Sequence, residues 1–121
     1  MTLRLFRPAL LSLLCAAAMT APSAGATALY ELVIEEHRFS PELLEIPANS
    51  KIKLLIDNRD PSAEEFESFE LNREKVILGH SKTVIYIGPL AVGDYRYFGE
   101  FNPATAQGVI RAVDGYSGGT P

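Results

Sequence analysis

An all-β fold, a Greek-key two-sheet β-sandwich, is the architecture the sequence predicts, and three observations predict it. Short runs rich in β-branched, apolar and aromatic residues recur from residue 29 to residue 113, several of them alternating with period two. Gly, Pro, Asn, Asp or Ser closes each run and gives the chain a place to turn. Beyond residue 28, no stretch repeats its apolar residues at convincing helical spacing.

The first 28 residues read as an export signal rather than as part of the fold. Arg4 and Arg7 precede the apolar run 9–19, which falls short of the about 20 residues a membrane-crossing helix requires. Small residues fill 21–28 and include two Ala-x-Ala sites, so cleavage is expected after Ala26 or Ala28, leaving 95 or 93 of the 121 residues. Leu14 stands before Cys15, where lipid attachment calls for a small residue. The expectation is a periplasmic protein with no direct membrane insertion after cleavage.

One domain is expected over residues 29–114. Residues 29–36 alternate and form a first strand, and Phe39-Ser40-Pro41 turns the chain into a second at 43–46. Pro47-Ala48-Asn49-Ser50 ends that strand, and 51–57 follows with Ile52, Leu54 and Ile56 on one face. After the loop 58–62 comes a strand at 66–71, then a polar link, 72–75, with room for a helical turn. Gly79-His80-Ser81 leads into 83–87, and Gly88-Pro89 begins another turn. Residues 94–101 place Tyr95, Tyr97 and Phe101 on one face and Phe98 on the other, where it suits a patch for a partner. Residues 109–113 close the domain, and Gly-rich 115–121 is a flexible tail. The expected core comprises Val33, Ile46, Leu54, Ile56, Val84, Tyr95, Tyr97 and Ile110.

Composition excludes several chemistries. Cys15 is the only cysteine and Met1 and Met19 the only methionines, so the mature chain has no disulfide and no sulfur ligand. Loss of Arg4 and Arg7 leaves nine basic residues against fifteen acidic ones, a net charge of −6 that argues against nucleic acid and anionic lipid. No Ser/His/Asp or Cys/His nucleophile set and no phosphate-cradling Gly-rich loop is present, so an enzyme is not expected.

Phe39-x-Pro41, Ile46-Pro47-Ala48-Asn49-Ser50, a strand ending at Asn58, and Gly93-x-Tyr95 running through a loop to Gly108-Val109-Ile110 stand in an order that resembles the cupredoxin family. More narrowly, Glu65-Phe66-Glu67-Ser68, residues 72–77, Tyr97-Phe98-Gly99-Glu100-Phe101-Asn102-Pro103 and Thr105-Ala106-Gln107-Gly108 are similar to small periplasmic EfeO-type cupredoxin-like proteins associated with bacterial iron uptake. A type 1 copper centre in that family takes two imidazoles, a thiolate and a weak axial thioether. The resemblance puts the thiolate position at Gly99, the downstream histidine at Asn102, the methionine near Ala106 and the first histidine at Glu64 or Glu65. None of the four residues is the family's ligand, so no type 1 copper is expected.

What stands around those positions is oxygen-rich. Glu65 and Glu67 are two apart and share a strand face, and Glu100, Asn102 and Gln107 come from the facing loop. Carboxylates with an imidazole suit iron or Cu(II), which makes Glu65, Glu67, Glu100, Asn102 and His80 the candidate metal ligands, while a run of exposed Glu equally suits protection of a sheet edge. His37 and His80 stand alone in the sequence, without a histidine partner at a ligand spacing. The expected function is a periplasmic accessory that handles an iron or copper ion for uptake, working with an iron-permease system or another periplasmic or membrane protein. The alternative is a metal-free interaction domain that kept the fold as a scaffold.

Overall fold

The computed structural model describes residue 2 and residues 27–118, and there the alternating runs become nine strands. They are β1 (Leu29–Glu35), β2 (Arg38–Ser40), β3 (Leu43–Pro47), β4 (Ile52–Asn58), β5 (Glu64–Ser68), β6 (Arg73–Ile77), β7 (Ser81–Ile87), β8 (Gly93–Gly99) and β9 (Gln107–Val113). One sheet runs β2-β1-β4-β7 and the other β3-β9-β8-β5-β6. β1 pairs with β4 and β3 with β9 in parallel, and the remaining pairs are antiparallel. Among the described residues no helix is long and apolar enough to cross a membrane. The expected export signal lies outside the described residues but for Thr2, Thr27 and Ala28.

Register decides which parity of each strand faces inward. Tyr30 and Leu32 on β1 are Cα partners of Leu54 and Ile56 on β4, and β4 in turn sets Leu54 against Ile85 on β7. Leu32, Ile34, Ile52, Leu54 and Ile56 lose all contact with solvent, and Ile46, Phe66 and Ile110 meet them from the second sheet. Each such side chain contributes roughly 1.5–3 kcal/mol by leaving water. At one end of the interior, Phe39, Phe66 and Tyr97 join the two sheets. The Phe66 and Tyr97 rings stack with centroids 5.0 Å apart, and Phe39 meets Tyr97 edge-on at the same distance. At the chain's far end Tyr116, within the segment expected to be a flexible tail, is half-buried with its ring edge-on to Tyr30. Burial and the hydrogen bond with Tyr116 push the Tyr30 phenol up to about 12.

The inward set corrects part of the expected core. Val33 is only partly buried, because Tyr30, Leu32 and Ile34 take the inner face of β1. Val84 points outward and is 45 % exposed, since the β4 register sends Ile85 and Ile87 inward. Tyr95 is partly buried against the core, and Phe101 lies beyond the end of β8 and is exposed. The polar link gives way to β6, an edge strand whose charged residues face solvent while Ile77 reaches the core. β5 also begins earlier than expected, at Glu64.

Leu54→Ala should cost about 2–5 kcal/mol in urea unfolding. Val84→Ala should cost less than about 1 kcal/mol. Equal losses at the two positions would contradict the inward and outward assignments.

Candidate functional site

β5 divides its side chains between two environments. Glu64, Phe66 and Ser68 point into the sandwich, while Glu65 and Glu67 lie on the outer face. Glu64 is 1 % exposed, and three donors converge on its carboxylate. The backbone N–H groups of Glu65 and Phe101 donate to Oε1 at 3.0 and 2.9 Å, and Asn102 Nδ2 donates to Oε2 at 2.7 Å. An acceptor-only group needs such donors once water is gone. Among the described residues, no buried side-chain nitrogen or oxygen lacks a partner.

The loop that supplies Asn102 is tightly wound. Asn102 N–H donates to Gly99 O at 3.2 Å, Ala106 N–H to Asn102 O at 2.9 Å, and Gly99 N–H to Ala106 O at 2.8 Å. Gly99 ends β8 against this carboxylate, and a Cβ there would lie 2.6 Å from Glu64 Cδ and 2.7 Å from Ala106 Cβ. Only glycine fits. Glu64, Gly99, Asn102 and Ala106, which the resemblance matched to ligand positions, thus meet at one pole of the sandwich, and Glu65 faces away from it. The residues present do not fit a type 1 copper ion: Glu64, Gly99, Asn102 and Ala106 offer no thiolate, imidazole or thioether, and a carboxylate occupies the space beside Gly99.

Both histidines lie at this pole without joining the candidate ligands. His37 N–H donates to Asp60 Oδ2 at 2.9 Å and its Nδ1 sits 3.6 Å from the same oxygen, while Thr105 Oγ1 donates to His37 O at 2.6 Å. His80 N–H donates to Asp60 O at 2.9 Å in the turn before β7. Neighbouring Gly79 passes so close to Pro61 that a Cβ would lie 2.0 Å from its carbonyl oxygen. Fully buried Asn58 holds the two loops together, donating from Nδ2 to Ser62 O, Ile77 O and Leu78 O at 2.9, 3.1 and 3.3 Å.

On the outer face, Glu65 and Glu67 meet Glu74 of β6, with one ligand oxygen from each within 4.8 Å of the others. Glu67 and Glu74 are direct cross-strand partners. Glu100 joins the edge of this array, its N–H donating to Glu65 O at 2.9 Å. Partial desolvation, then the charges of Glu74, Glu65 and Glu100 and a hydrogen bond shared with Glu74, hold the Glu67 carboxyl above the usual carboxylate range. Of the expected ligands, then, Glu65 and Glu67 come together and Glu100 borders them. Asn102 is turned inward to Glu64, and His80 stands apart; Gln107, which the sequence placed in the facing loop without counting it a ligand, donates from Nε2 to Pro103 O at 2.9 Å. Glu74 escaped the sequence reading, and its signal was the second strand of a hairpin in which it faces Glu67.

The sequence profile of the cupredoxin-like domain matches residues 8–112. An uncharacterised protein of Rickettsia prowazekii is 44 % identical over 84 residues, covering 69 % of this chain and 67 % of the relative. Two solved structures illustrate the shared fold. Auracyanin A of Chloroflexus aurantiacus, described as a blue copper protein, superposes with a TM-score of 0.63 at 11 % identity, over 73 % of this chain and all of that one. The metal-binding domain of the Cu(I)-exporting ATPase CopA from Streptococcus pneumoniae gives 0.60 at 16 % identity, over 71 % and 85 % of the two chains.

A carboxyl whose folded-state pKa is raised favours the fold when protonated, and that contribution is lost as pH rises through the folded value. Glu67→Gln should therefore raise Tm at pH 7, with the gain vanishing below the carboxylate range. A lower Tm for the variant at pH 7 would contradict the repulsion described.

Proposed function

The chain belongs to the cupredoxin-like domain family, and on that premise we propose that it is an exported accessory of metal uptake that holds a copper or iron ion on the carboxylates of β5 and β6. The observation that carries this reading is the convergence of Glu65, Glu67 and Glu74, one oxygen of each within 4.8 Å of the others, with Glu100 beside them. Three carboxylates held this close repel one another, and a bound cation relieves that repulsion. Their hard oxygens suit Cu(II) and iron. Copper binding in proteins of similar fold supports a metal-related role by analogy of fold alone. In this reading the protein works as a carrier in the periplasm, not as an enzyme, and passes its ion to an iron permease or another periplasmic or membrane protein.

A second reading, a metal-free interaction domain, is favoured by a different observation. Phe69 is 78 % exposed and its ring lies 5.5 Å from that of Phe98 on the outer side of β8, an apolar pair beside the acidic array.

Calorimetric titration of the mature domain with Cu(II), and with Fe(III) supplied as its nitrilotriacetate complex, separates the two. Metal handling predicts one site whose affinity falls as pH drops through the carboxylate range, where protons compete for the same oxygens. Glu65→Gln combined with Glu67→Gln should weaken it about tenfold or more. The Cu(II)-loaded protein should lack the intense visible absorption of a thiolate-bound centre. Unchanged affinity in the double variant would remove these carboxylates from the site and leave the interaction domain as the reading.

A further inference from the structure

We propose that Glu64 is a permanent occupant of the pole where the fold's metal position lies: its carboxylate orders the loop 99–106 by hydrogen bonding and keeps cations out. The carboxylate ties together two segments far apart in sequence, the start of β5 and the turn that follows β8, since Phe101 lies 37 positions and Asn102 38 positions beyond Glu64. The groups that line it are the positive ends of N–H dipoles, two from the backbone and one from the Asn102 amide, an arrangement that attracts an anion and repels a cation. No room remains beside it, since Gly99 and Ala106 already pack so closely that even one added carbon atom at residue 99 collides with both neighbours.

A metal ion entering here would have to take the carboxylate away from its donors. The Phe101 and Glu65 N–H groups would then lose their acceptor at a part-buried position, and the lost bonds together would weaken metal affinity by on the order of tenfold. The clasp also explains how the loop can be ordered without metal. Glu64 fixes Phe101 and Asn102 from outside the loop, and the bonds of Gly99, Asn102 and Ala106 to one another close it from within.

Glu64 is separate from the outer carboxylates, and amide hydrogen exchange on the mature chain tests its role separately. In the metal-free protein the Phe101 amide should be protected. Glu64→Ala should speed its exchange roughly tenfold or more while leaving the Leu54 amide of the core unchanged. Glu64→Gln, which keeps one acceptor oxygen, should have a smaller effect, and Asn102→Ala, which removes one of the two bonds that tie the loop to Glu64, should speed Phe101 exchange to a lesser degree and keeps the proposal testable should Glu64→Ala fail to fold. Saturating zinc(II) chloride, a diamagnetic probe, added to the variant carrying both Glu65→Gln and Glu67→Gln so that the outer carboxylates are disabled, should leave Phe101 exchange unaltered. Two results would overturn the proposal: a Phe101 amide as fast in the natural chain as in Glu64→Ala, or one that gains protection when zinc(II) is added to the variant without the outer carboxylates. Because zinc(II) is added where the outer carboxylates are disabled, and the comparison with Glu64→Ala is made without metal, failure of the outer site and failure of the clasp are distinguishable.

Discussion

The pleat of β5 sends neighbouring glutamates to opposite sides of one sheet, and the chemistry of the molecule follows from that division. Glu64 enters the interior between Ile77 of β6 and the loop after β8, whereas Glu65 and Glu67 remain outside. A slip of one residue would exchange the two sets. It would put Phe66 in water and Glu65 and Glu67 in contact with Tyr97 and Phe39, a loss the core does not tolerate. The apolar residue between the glutamates therefore fixes which carboxylate is buried and which two are free.

A buried carboxylate is retained only where its hydrogen bonds replace those it made with water. Its three donors meet that condition, and the residues around it are arranged accordingly: glycine at 99 for space, alanine at 106 for the same reason, and asparagine at 102 as a donor of the right length. The rest of this pole is likewise polar and satisfied. Asn58 joins the loops before β5 and β7, and Asp60 accepts the N–H groups of Glu36 and His37, both in left-handed backbone conformations. Directly below lies the aromatic cluster of Phe39, Phe66 and Tyr97, so a hydrogen-bonded cap sits on an apolar interior. The acidic array on the outer face gains no comparable support, and mutual repulsion is its main internal interaction.

The two-sheet fold was legible because β4 sets Ile52, Leu54 and Ile56 on one face and turn residues separate the runs. Parity was not legible in β1 or β7. Leu29 and Val33 compete with Tyr30, Leu32 and Ile34, and Val84 with Ile85, so either face of those strands reads as apolar until pairing with β4 decides. β6 was hidden because an edge strand with Arg73, Glu74 and Lys75 facing solvent has no hydrophobic period of its own. The Glu65–Glu67 pair could be read from its spacing alone. Glu74 could not, since it joins them only across a hairpin, and neither could the capture of Asn102 by Glu64, which depends on packing between segments 38 residues apart. The choice between Glu64 and Glu65 at the pole turned on where β5 begins, and a run as short as Glu-Glu-Phe-Glu-Ser fits either register.

In the proposed arrangement, metal is handled on the outside of the sheet while the interior position is filled by the protein's own carboxylate. Anomalous diffraction at the copper edge, from crystals of the mature chain soaked in Cu(II), tests this most directly. The predicted result is a peak among Glu65, Glu67 and Glu74 with the 2.7 Å bond between Asn102 and Glu64 intact. A peak between Glu64 and Asn102, with that bond broken, would contradict it.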